Sequence, residues 1–89
     1  MKAVVTVVGK DRVGIIANVC TALAGFQVNV LDINQTVMQG YFTMMMVVDL
    51  AACATPFDQL SAKLGAFGEG RGLSVRIQRE DIFDAMHKI

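Results

Sequence analysis

Residues 2–16 read KAVVTVVGKDRVGII, and the change of period inside this stretch decides the fold. From Lys2 to Val8 the chain is β-branched almost throughout and apolar at odd and even positions alike, the pattern of a strand covered on both sides or lying centrally in a sheet. Gly9-Lys10-Asp11-Arg12 breaks that run. From Val13 the apolar residues recur at helical spacing, with Ile16, Val19, Cys20 and Leu23 on one stripe and Ile15, Ala22 and Phe26 beside it. Asn18, Thr21 and Gly25 form a narrow polar remainder, so the predicted helix carries an apolar arc wider than one core contact needs.

Downstream, Val28 to Met38 (VNVLDINQTVM) predicts a half-buried second strand, with Leu31, Ile33 and Val37 on one face and Val30, Asp32, Asn34 and Thr36 mostly on the other. Gln39-Gly40 supplies a turn, and Tyr41 to Leu50 (YFTMMMVVDL) returns as an antiparallel third strand. Phe42, Met44, Met46, Val48 and Leu50 share one face of it, and Met45 and Val47 keep the other apolar. Three consecutive methionines raise the question of a soft metal, but alternation splits their thioethers across two faces, which favours adaptable core filling. Thr55-Pro56-Phe57-Asp58 reads as a helix start, with Thr55 as cap, Pro56 at the first position and Asp58 near the positive end. Phe57, Leu60, Leu64 and Phe67 then fall on one stripe; Gly65, Gly68, Gly70 and Gly72 are expected to end the helix near Phe67 and to form a flexible connection. Leu73, Val75 and Ile77 alternate with Ser74, Arg76 and Gln78 in a fourth strand, and Glu80-Asp81 opens a short terminal helix whose Ile82, Phe83, Met86 and Ile89 share a side.

The predicted order is thus βαββαβ plus a C-terminal helix: an α+β, ferredoxin-like sandwich with a four-stranded antiparallel sheet and both helices on one face. The expected division is one domain over 1–89, with a core over 1–79 and the terminal helix over 80–89. Right-handed crossovers place strands one and three centrally and strands two and four at the edges. Val30, Met45 and Val47 make the sheet's other face too apolar to stand fully open to water, and a second subunit or the terminal helix is expected to cover it.

Composition narrows the function. With 54% of its 89 residues hydrophobic and 18% charged, the chain is too apolar for disorder and too interrupted for a membrane span. A domain of this size buries only about 60–65% of the surface its unfolded chain exposes, which leaves apolar area for a partner subunit. Eight basic residues balance eight acidic ones, so there is no electrostatic footprint for nucleic acid. Base stacking on the central strands also lacks its aromatics: strand one has none, and strand three only Tyr41 and Phe42 at its start. Cys20 and Cys53 form no CxxC unit and are expected as free, buried thiols; neither a metal nor a cofactor is implied. The Met1-Lys2 start runs straight into a strand with no secretory pattern, and a cytoplasmic protein is expected.

The distinctive element is Gly9-Lys10-Asp11-Arg12-Val13-Gly14-Ile15-Ile16, a strand end, a glycine-flanked polar turn and a helix start. It is no phosphate-binding P-loop, because Ile15 and Ile16 stand where Lys and Ser/Thr are needed. Two readings stay open. Free amides at a helix N-terminus hold a carboxylate or another small anion, and Gly14 lets that backbone come close. Alternatively this is an ordinary βα turn in which Asp11 caps the helix and Arg12 is solvated. Asn29, at the start of strand two, is either a bridge to a neighbouring chain or a turn residue.

GKDRVGIIA followed by VNVLDINQ resembles the paired signatures of ACT domains, and GYFTMMMVVDL resembles small bacterial proteins that consist of a single ACT domain. The resemblance runs from strand one through strand four. It implies a non-catalytic regulatory module that binds an amino acid or a similar metabolite at an interface between domains, often on behalf of an attached enzyme, here as a homodimer. By the same resemblance the turn, as Asp11, Arg12, Val13, Gly14 and Ile15, supplies backbone and polar ligand contacts. Asn29, with Val30 and Leu31 behind it, reaches the ligand from the partner subunit. Some amino-acid-binding members have His where this chain has Gly9, and many have Pro where it has Val13. Two other readings remain beside this one: a protein-interaction module with a vestigial pocket, and an acylphosphatase-like hydrolase that uses Arg12 with Asn18 or Asn29. The second lacks a nucleophile with a base beside it, since His87, Lys88 and Asp84 read as a solvated face.

Overall fold

The computed structural model describes residues 1–10 and 13–81. Its elements are β1 (Lys2–Lys10), α1 (Ile15–Gly25), β2 (Asn29–Met38), β3 (Tyr41–Asp49), α2 (Phe57–Glu69) and β4 (Leu73–Arg79). The four strands form one antiparallel sheet in the order β2-β3-β1-β4, so β1 and β3 are central and the ferredoxin-like expectation holds. Of the predicted terminal helix only Glu80 and Asp81 are described; 82–89, like Asp11 and Arg12, lies outside the described residues.

The registers align the core in rows across the sheet. Met46, Val5 and Ile77 stand side by side, as do Met44, Val7 and Val75, and each of these six is buried. Against them α1 presents Ile15, Val19 and Leu23, and α2 presents Leu60 and Leu64. Burying each such side chain stabilises the fold by roughly 1.5–3 kcal/mol, which is why the 3.6-residue period in the helices and the two-residue period in β3 and β4 were decisive. Lys63 reaches across from α2 to place its ammonium 5.8 Å from the ring of Phe26, at the end of α1.

Local backbone chemistry sets the element ends. Gln39 and Gly40 both have positive φ (51° and 83°), which gives the β2–β3 hairpin the twist a two-residue turn needs. Helix α1 stops where Gln27 goes left-handed (φ 58°). The Val28 N–H donates to the Leu23 carbonyl (3.0 Å) and that of Gln27 to Ala24 (2.9 Å), while the buried side chains of Val28 and Leu23 seal the end. The start of α2 differs from expectation: Pro56, not Thr55, occupies the cap position, and no side-chain hydrogen bond closes it. The Pro56 carbonyl instead accepts the first helical bond, from Leu60 N–H at 2.9 Å.

Two further expectations are corrected. Helix α2 runs past Phe67 to Glu69 because Gly68 faces the sheet, where a Cβ would lie 2.7 Å from both the Leu73 carbonyl oxygen and Val75 Cγ2. Helix and strand approach at a distance only glycine permits. The glycine-rich connection is also tied down: Arg71 lies over the Phe67 ring at 4.1 Å and donates to its carbonyl at 3.3 Å, and Gly70, Arg71 and Gly72 donate to Ala66, Gly68 and Glu69.

The second correction concerns β2. A bulge between Val30 and Asp32 sets Val30 opposite Val48 and Asp32 opposite Val47, leaving Leu31 as the extra residue. Val30 therefore shares the helix-side face with Ile33 and Val37, and the open face receives Asp32, Asn34 and Thr36. Nor is the strand half-buried: Leu31, Ile33 and Val37 are 47%, 41% and 54% exposed. The helix layer roofs the sheet only as far as β3. Of the predicted arc on α1, Ile16 is exposed and Cys20 half-buried; both cysteines are free and neither is fully buried.

The Gly68 contact predicts opposite signs for two neighbouring substitutions. Gly68→Ala should destabilise the protein by about 1–3 kcal/mol through overpacking against β4. Gly65→Ala, where nothing lies within 4 Å, should stabilise it by about 0.5–1 kcal/mol through helix propensity. Urea unfolding of both variants measures the difference.

Candidate functional site

The β1–α1 turn begins where β1 leaves the sheet beside Tyr41 of β3, at the hairpin end of the molecule. Gly14 occupies the position before α1 with φ 90°, a left-handed conformation that admits glycine without strain. Its carbonyl accepts from Asn18 N–H at 2.9 Å, the first bond of the helix. The amides of Ile15, Ile16 and Ala17 precede that bond and so have no partner within the helix itself. Gly14, at the cap position, has no side chain to close them, and the first turn of the helix holds no acidic residue. The anion-binding reading draws on the partial positive charge at this helix start; the capping reading rests on Asp11, which lies outside the described residues.

The other predicted residues divide by role. Val13 projects wholly into solvent, and Gly14 is partly exposed. Ile15 is 3% exposed with its side chain in the core, so only its amide can face a ligand. Asp11 and Arg12 lie outside the described residues. At Gly9 the turn is closed on the β4 side: a side chain there would run into Leu73 Cδ2 and stand 3.4 Å from the Gly72 carbonyl oxygen. The imidazole that some ACT domains place at this point has no room here unless Leu73 turns away.

Asn29, Val30 and Leu31 are not beside this turn. Asn29 pairs with Asp49, which pairs with Lys2, whereas the turn leaves from Lys10 at the other end of β1. Eight residue steps along a strand separate the two ends, about 26 Å. The two halves of the predicted site therefore cannot meet within one chain. That distance also removes Asn29 as a partner for the turn in a hydrolase, and leaves Asn18, exposed on the first turn of α1, as the nearer amide. At the Asn29 end, Asp49 accepts from Ala51 N–H at 2.9 Å and lies 3.8 Å from the N-terminal ammonium.

A feature the sequence reading missed lies on the sheet face away from the helices: a shallow depression of about 290 Å³, walled by Val4, Asp32, Asn34, Met45, Val47 and Glu80. Met45, Val47, Asp32 and Asn34 lie on this face as their alternation predicts, and the bulge takes Val30 off it. Among the described residues no three His, Cys, Asp or Glu side chains are grouped to hold a metal ion, and no helix is long and apolar enough to cross a membrane.

Comparison with known proteins agrees with this geometry. The sequence pattern of the ACT domain matches residues 2–78. A UPF0237 protein of Listeria monocytogenes is 49% identical over 89 residues, covering all of both chains, and one of Bifidobacterium longum is 52% identical over 88 residues, covering 99% of this chain and 98% of its own. An ACT domain protein from Streptococcus pneumoniae superposes with a TM-score of 0.84 at 44% identity, over 98% of each chain. A βαββαβ sandwich with a glycine-opened first helix, matched along nearly its whole length, places this chain in the ACT domain family.

Proposed function

We propose that this chain is a non-catalytic sensor: a homodimer that binds an amino acid or a related carboxylate-bearing metabolite at the seam between two copies. The observation that carries this reading is the separation of the two half-sites. The first-turn amides of α1 lie at one end of the sheet, and Asn29 to Leu31 lie at the other. A two-fold axis beside β2 runs the β2 strands of two copies antiparallel, which carries the Asn29 end of one copy toward the hairpin end of the other. One ligand then meets Val13, Gly14 and Ile15 of one chain, with Asp11 and Arg12 between β1 and that turn, and Asn29, Val30 and Leu31 of its neighbour.

The β2 edge is suited to such pairing. It is ten residues long, contains neither lysine nor proline, and exposes Ile33, Val37 and Met38. An edge of that composition is a template for another strand. The bulge at Leu31 ends a regular ladder there, so pairing centres on residues 32–38 and leaves the Asn29 end free to turn toward a ligand. Ile16, exposed on the flank of α1, extends the apolar seam. A regulated enzyme or repressor would read the ligand through the change in this dimer.

Two measurements test the reading. Val37→Lys should convert the dimer to monomer at micromolar concentration, seen by sedimentation velocity, with the fold retained because Val37 lies outside the core. Amino acids and small carboxylates titrated into the wild type should raise the melting temperature. At ten times Kd the gain is about 1.4 kcal/mol, several degrees for a domain of this size. Asn29→Ala should reduce that gain. A wild-type chain that stays monomeric and gains nothing from any of these ligands would remove the sensor assignment; stoichiometric recovery of a protein partner in its place would favour the interaction-module reading.

A further inference from the structure

We draw no further inference here: the strongest candidate, the shallow depression on the outer face of the sheet between Asp32 and Asn34 of β2 and Glu80 beyond the end of β4, has a floor in which Val4 is buried, and nothing among the described residues shows what covers it.

Discussion

Two helices roof three strands, and the fourth strand lives with the consequence. Helices α1 and α2 bury the rows that run through β3, β1 and β4, but those rows end in solvent at Ile33 and Val37 of β2. Strand β2 is held mainly by its ladder to β3, with Val28 and half-buried Val30 anchoring its first turn. A strand that gains so little from its own core is available to gain from another chain. In a domain this small, where the buried fraction of the surface is modest, that availability is a substantial part of the possible stabilisation.

The same economy shapes the candidate site. An uncapped helix end is a small loss of stability that a side-chain oxygen would ordinarily recover, about 1 kcal/mol. Here the chain places left-handed Gly14, which has no side-chain oxygen, at the cap position. A capping carboxylate would compete with any anionic ligand for the first-turn donors. The close fit of Leu73 against Gly9 bounds the turn on its other flank.

Much of this was legible in the residues. The period change at Val13, the alternation in β3 and β4 and the stripe of α2 gave the element order, because each reports burial of one face against a single core. What the residues did not reveal were properties that arise only between elements. The bulge at Leu31 interrupts a run of ordinary strand formers and carries no glycine or proline to mark it, yet it moves Val30 to the helix side, away from Asp32, Asn34 and Thr36. Gly68 looks in sequence like a helix stop, and becomes a point of close packing only once β4 is beside it. The half-burial expected of β2 failed for the same reason: alternation shows that a strand has two unlike faces, not that a helix is wide enough to cover one. The turn itself was recognisable from its glycines, while the distance between it and Asn29 required the register of three strands.

The far edge of the sheet gives β2's openness a limit. Strand β4 is seven residues long and carries Arg76 and Arg79 with Gln78, so two such edges brought together would oppose like charges. Sheet growth is thereby one-sided: a chain can accept a neighbour along β2, but the pair so formed presents only arginine-bearing borders to the solution. A protein with a bare, apolar strand on one flank avoids polymerising into a fibre by making its opposite flank a poor template.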